Sequence, residues 1–323
     1  MVDAWLMRGI EIQKRRGTMR IVVTGSSGLV GSILANRLRD RGDEPVCVDI
    51  RHGAGPVDIL DPHALARTFP GADGVVHLAA VSRVAWGESH PGLCDAINVE
   101  GTVRVLEAVR GVGADCWCVH ASSREIYGDA PMSLVHEDAP KNPVNRYGRS
   151  KLESERLVTE AANTGTRTAI LRLSSVYGGR KDHPDRVVPS LTWRALQGQP
   201  LVITGADTFF DFVHVEDTVD GIIAAIDLLG SGRDSLPPIN LATGTATSLH
   251  RLAETVLSVT GSQAPLTVVP AREFDVSGYC GSTERAEAVL GWKVRCVLEA
   301  GVQQVADDFQ RLGPLEAVTP PVE

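Results

Sequence analysis

The chain has 323 residues, 43% apolar and 22% charged, and its 40 acidic against 32 basic side chains give a net charge of −8. This is ordinary globular composition, long enough for a large core and one or two domains. It offers no basic stripe for nucleic acid, no apolar run near the roughly 20 residues that span a bilayer, and six scattered cysteines, too few for a disulfide scaffold at this length.

Residues 1–18, MVDAWLMRGIEIQKRRGT, are mixed and charged and lack the apolar stretch of a signal peptide. They read as a disordered N-terminal extension, and the expected location is cytoplasmic. From residue 20 onward, strand-like and helix-like patterns alternate. RIVVTG reads as a buried strand and LVGSILANRLRDRG as a helix stopped by Gly42. EPVCVDI is a second strand, and a third is expected before Asp58 and Ile59. DGVVHLAA, DCWCVHASS and RTAILRLSS continue the series with helical segments between them. Short β-branched runs separated by amphipathic helices predict an α/β fold with a doubly wound parallel sheet covered on both faces.

Cys116 and Cys118 flank Trp117 in a strand pattern and therefore face the same way. They read as a buried apolar pair and not as metal ligands, because no His or second Cys pair has zinc spacing. His77, His120, His183 and His214 show no triad or metal spacing and read as structural. No metal is expected. After about residue 175 the segments shorten and gain Gly and Pro, which predicts a smaller C-terminal α/β domain over the carboxyl ends of the sheet. VHVEDTVDGIIAAIDLLG and PPINLAT read as a helix and strand that return to the sheet.

TGSSGLVG sets Gly25, Gly28 and Gly31 just after the first strand, with Ser27 and Leu29 between them. Glycine there permits a tight turn and lets the backbone approach a pyrophosphate, which then meets the free N–H groups of a helix N-terminus. Asp49 ends the second strand 18 residues after Gly31, where an acid accepts the ribose hydroxyls of an adenosine and repels a 2′-phosphate. NAD is therefore favoured over NADP. Asp58 and Ile59 are placed to hold adenine, although Asp58 would serve equally as the cap of a helix starting near Pro62. The expected organisation is an NAD-binding Rossmann domain over 19–175 with return segments near 213–240. A mainly substrate-binding part over 176–312 and a loose tail over 313–323 follow.

CVHASSREIYGD brings Ser123 to the carboxyl edge of the sheet, and RYGRSK places Tyr147 and Lys151 one helical turn apart on the same face. Free tyrosine is a poor base at neutral pH. A neighbouring ammonium and a cationic nicotinamide would favour its phenolate. Tyr147 would then take an alcohol proton while hydride passes to the cofactor, with Ser123 positioning the hydroxyl and Lys151 also holding the nicotinamide ribose.

On these motifs, together with HLAA at 77–80, NVEGT at 98–102, SSREIYG at 122–128, RLSSVYG at 172–178 and RAEAVLGW at 285–292, the chain resembles an extended short-chain dehydrogenase/reductase. Within that group it is similar to the NAD-dependent epimerase/dehydratase family, over about residues 19 to 311. The resemblance implies that Leu78, Ala79 and Ala80 line the cofactor's phosphate–ribose path and that Asn98 braces helix to strand. It also implies that Ser175 and Val176 meet the nicotinamide and that Ser82, Arg186 and Arg272 touch substrate. It implies a homodimer formed through the helices around 98–110 and 146–160.

The chain departs from the sugar-nucleotide pattern at Ser175, where such members usually carry Asn, and at Phe210, where they usually carry Arg before the aspartate. Glu125 resembles the acid that moves a proton in dehydratases and decarboxylases, yet Arg124, a further substrate candidate, stands where one dehydratase group has Asp. Glu125 would equally be a structural acid paired with Arg124. The leading expectation is an NAD-dependent epimerase of a nucleotide sugar acting through a transient ketone. Alternatives are a dehydratase or decarboxylase using Glu125, a dehydrogenase or ketoreductase of a non-nucleotide polyol, and a non-catalytic NAD-sensing protein.

Overall fold

The computed structural model of the protein describes residues 17–53, 55–129, 134–205, 208–270 and 276–316. Most of the expected extension and tail, together with Arg272, lies outside these residues. Strand β1 (Arg20–Thr24) passes through the glycine turn into helix α1 (Leu29–Asp40) and then β2 (Glu44–Val48). Four of the five residues of β1 are buried, as a strand covered on both faces requires. Helix α1 stops because Gly42 adopts φ +82° and turns its N–H onto the Arg39 carbonyl at 2.9 Å.

Among the described residues no strand forms between Val48 and Gly74, so the strand expected before Asp58 is absent. RHGAGPVD contains two glycines and Pro56, which has no N–H to give a ladder. The segment instead leads to helix α2 (Pro62–Thr68), whose cap is Asp61, accepting from the His63 and Ala64 N–H groups. Asp58 does not cap it; its carboxylate accepts from the Leu60 N–H at 2.9 Å.

Strand β3 (Gly74–His77) is followed by α3 (Val84–Ser89) and α4 (Pro91–Asp95). A π-helical turn over Ala96–Glu100 joins α4 to α5 (Gly101–Val112), and β4 (Trp117–Ser123), α6 (Arg146–Asn163) and β5 (Thr168–Leu173) come next. The chain continues through β6 (Ser175–Tyr177), α7 (Val187–Leu196), β7 (Leu201–Thr204), β8 (Phe209–Phe210), β9 (Phe212–His214), α8 (Val215–Gly230) and β10 (Ile239–Leu241). It ends with β11 (Thr247–Ser248), α9 (Leu249–Thr260), β12 (Leu266–Val269), α10 (Glu284–Leu290) and α11 (Leu298–Leu312).

Six strands form one parallel sheet in the order β10-β5-β4-β3-β1-β2. The order reverses between β1 and β3, and a crevice opens there outside the carboxyl ends of the strands. One face of the sheet packs Ile21, Val23 and Trp117 against Leu34 and Leu38 of α1 and Val219 and Ile222 of α8. The other packs Val22, Cys116 and Cys118 with Val105 and Val109 of α5 and Val158 of α6. The CWC triplet thus alternates across the sheet, with both thiols on one side and the indole on the other. A third core joins α7, α9 and α11 to β7 through Leu191, Leu201, Leu252, Val256 and Phe309. Trp292, from RAEAVLGW, donates its indole N–H to the Asp217 carbonyl at 2.8 Å and so fastens the late segment to α8.

Candidate active site

Ser123 is the last residue of β4, and its hydroxyl accepts the N–H of Glu125 at 3.2 Å, opening a 3-10 turn over Arg124–Tyr127. Helix α6 begins against this turn. Asn145 caps the helix by accepting the Gly148 N–H at 2.8 Å and donates its amide to Glu125 at 2.7 Å. A Cβ on Gly148 would stand 2.5 Å from the Glu125 carbonyl oxygen, so glycine lets α6 lie close enough to present Tyr147 beside Ser123. Tyr147 and Lys151, one turn apart on α6, are both buried and both line the same cleft as Ser123.

That cleft has a volume of about 950 Å³ and runs from the glycine turn to the third core. It gathers Gly25, Gly28, Leu29, Gly31, Asp49, Asp58, Ile59, Leu78, Ala79 and Ala80 at one end. Toward the other lie Ser82, Ser123, Arg124, Glu125, Ser175, Val176 and Arg186. Ser27 is not on the lining; its N–H holds the Asp49 carboxylate at 3.0 Å, and the Arg51 N–H holds the other oxygen at 2.8 Å. Gly25 has φ +70°, and a Cβ there would meet the Ala79 nitrogen at 2.7 Å, so the glycine turn and the HLAA segment form one backbone wall. Ile59 explains the glycine of NVEGT, since its Cδ1 lies 2.5 Å from where a Gly101 Cβ would be.

Asn98 lies in the π-helical turn. It accepts from the Val81 N–H at 2.8 Å and donates to the Ser150 hydroxyl at 2.8 Å, tying the loop after β3 to α6. His77 and His120 are buried in this region and held neutral, chiefly by burial and then by the charge of Lys151; His77 is pushed down to about 3. His214 is a helix cap: its ring accepts the Glu216 N–H of α8 at 3.4 Å.

Burial pushes the Tyr147 phenol up to about 12 in the protein alone; Ser123, by a hydrogen bond, and Arg186 act to lower it, while Glu125 raises it. In the protein alone, burial outweighs the lowering expected from the Lys151 ammonium and a cationic nicotinamide together. Burial also pushes Lys151 down to about 8, and the carboxylate of Glu155 one turn further along works against that fall. Burial thus favours the neutral phenol in the protein alone, and positive charge beside it favours the phenolate.

Two contacts around the site join residues far apart in the chain. Arg172, next to last in β5, grips Glu155 of α6 through Nε at 3.0 Å and Nη2 at 2.8 Å, and donates to the Tyr127 hydroxyl at 2.8 Å. An arginine inside the apolar run TAILRLSS demands a buried acid, and that was the available signal. At the cleft mouth, Arg83 donates to Asp185 at 2.8 Å and Trp86 meets His183 edge to face at 5.1 Å, so the loop after β3 and the loop before α7 are clasped together. Of these four residues the sequence had marked His183, as structural.

A parallel dinucleotide-type sheet whose switch-point cleft holds a buried serine, tyrosine and lysine defines an extended short-chain dehydrogenase/reductase. The chain belongs to the NAD dependent epimerase/dehydratase family, whose family model matches residues 21–236. It is an enzyme of that class, and its cofactor is NAD. UDP-glucose 4-epimerase of Streptomyces lividans is 30% identical over 302 residues, 84% of this chain and 91% of that one. The solved structure of MoeE5 in complex with UDP-glucuronic acid and NAD matches with a TM-score of 0.83 at 30% identity, covering 91% of this chain and 99% of that one. UDP-glucose 4-epimerase of Thermus thermophilus in complex with NAD matches with a TM-score of 0.82 at 26% identity, covering 91% and 100%.

The residues present fit the dinucleotide. Gly25 packed on the Ala79 backbone leaves main chain next to the cleft, and the buried Asp49 carboxylate stands on the same lining. The buried hydroxyl of Ser122, on the cleft lining, has no protein partner.

Proposed function

We propose that the protein is an epimerase of a UDP-sugar that inverts one ring carbon through a transient ketone. The observation that carries this reading is the shared burial of Ser123, Tyr147 and Lys151 on one cleft that continues to the glycine turn and Asp49. NAD, when bound, supplies reversible hydride transfer at its nicotinamide. Gly25, Gly28, Leu29, Asp49, Ala79 and Ala80 would hold its adenosine and phosphates, with Ile59 against adenine. Ser175 and Val176 would meet the nicotinamide end. Tyr147 moves the proton of the reacting hydroxyl, on its phenolic oxygen, and returns it when the ketone is reduced. Ser123 orients that hydroxyl, and Lys151 supplies positive charge below the phenol and holds the ribose. The substrate class is proposed from the UDP-glucose and UDP-glucuronic acid bound in solved relatives. The division into a cofactor part over 19–175 and a substrate part over 176–312 belongs to the same proposal, as does pairing of two copies through α5 and α6.

Elimination chemistry needs Glu125 free to take a proton. Its two oxygens instead meet Arg124 at 2.8 Å and Asn145 at 2.7 Å, which favours epimerisation. The test is incubation of purified protein and NAD with a panel of UDP-sugars, followed by product mass and sugar analysis. An isomer of unchanged mass is expected; loss of water or carbon dioxide, or net oxidation, would displace the reading. Tyr147→Phe is expected to cut turnover by about 10²–10⁴ while NAD binding persists, and unchanged turnover would exclude the proton-transfer role.

A further inference from the structure

Arg124 follows Ser123 directly and lines the same cleft, yet its side chain is only 12% exposed. Its guanidinium carbon sits 4.3 Å from the centre of the Phe210 ring and 5.9 Å from that of Tyr279. Stacking engages the flat faces of a guanidinium and leaves its hydrogen-bonding edge free. On that edge Nη2 is taken by Glu125 at 2.8 Å. Nη1 is buried and has no partner. A buried donor left unpaired is costly, more so when charged, so a site that keeps one beside its reacting serine is built to have it filled.

We propose that Arg124, stacked on Phe210, is the oxyanion receptor of the substrate site and binds a phosphate or carboxylate oxygen of the sugar nucleotide through Nη1. This rests on the UDP-sugar reading and adds to it the residue that selects for negative charge. Planar stacking fixes the fork, and Glu125 holds its other side, so the free N–H is aimed before the ligand arrives. Lysine would keep the charge but lose both the stack and the fork.

The experiment compares the NAD-loaded wild type with Arg124→Gln, Arg124→Lys and Phe210→Leu, titrated calorimetrically with UDP, UDP-glucose and UDP-glucuronic acid. NAD affinity and melting temperature, recorded for each variant, report whether the fold is intact. The expected result is about tenfold to hundredfold weaker binding for both arginine variants at unchanged NAD affinity, and a smaller loss for Phe210→Leu. Loss with all three ligands assigns the diphosphate; loss confined to UDP-glucuronic acid assigns the sugar carboxylate. Undiminished binding of all three ligands by Arg124→Gln overturns the inference while the UDP-sugar reading stands. If the wild type binds none of the three, the substrate reading itself fails and this assignment goes with it.

Discussion

The carbonyl oxygen of Glu125 lies 2.5 Å from the place a Cβ on Gly148 would occupy, so the turn after β4 and the first turn of α6 touch backbone to backbone. Ser123 is two residues before the one and Tyr147 one residue before the other. This contact sets how far apart the hydroxyl and the phenol stand.

Gly148→Ala therefore pushes α6 away from the serine. A loss of about 1–3 kcal/mol in stability is expected from overpacking against rigid backbone, together with a fall in kcat larger than any change in NAD affinity. Denaturant unfolding and steady-state kinetics check both parts. Wild-type kcat in this variant would show that the spacing is unimportant.

Lys151 gives stability a definite pH dependence. Burial brings its ammonium down to about 8 in the folded chain, against 10.5 for a free lysine side chain. Between these values the unfolded chain binds more protons than the folded one, so stability contributed at this site rises with pH through the window. Lys151→Met removes the effect. Urea unfolding of wild type and variant at pH 7.5, 8.5 and 9.5 should show the wild type gaining relative to the variant as pH rises. A constant difference would mean that the ammonium is not destabilised by burial.

Arg172 and Glu155 form a buried, two-point ion pair that joins β5 to α6 beneath Lys151. Arg172→Met leaves the Glu155 carboxylate buried without its cation, and a loss of about 3–5 kcal/mol is expected. The double variant Arg172→Met/Glu155→Gln should recover part of that loss. Equal stability of the single and double variants would show that the cost is packing and not charge.

Glu125→Gln keeps an acceptor for Asn145 and loses the charge facing Arg124. An epimerase should retain most of its turnover, because no step of the proposed chemistry uses this carboxylate as a base. Product mass and rate decide: collapse of activity with normal substrate affinity would return Glu125 to a proton-transfer role.

The parallel sheet, the glycine turn, Asp49 and the Tyr147/Lys151 pair were legible because each depends on neighbours within a few residues: a period of two for strands, one helical turn for the pair, three glycines in one loop. The segment before Asp58 misled because the rhythm of alternating elements suggested a strand that Pro56 and two glycines could not support. Chain order alone could not bring Arg124 onto Phe210, Arg83 onto Asp185 or Arg172 onto Glu155, which join residues 86, 102 and 17 positions apart. Fold class and the chemical groups at the sheet's carboxyl edge follow from local periodicity and backbone freedom, which lie in short stretches of chain. Tertiary structure decided the ionisation of Tyr147 and Lys151 and the orphaned edge of Arg124. Desolvation and pairing depend on which distant surfaces close over a group, and the string of residues does not contain that.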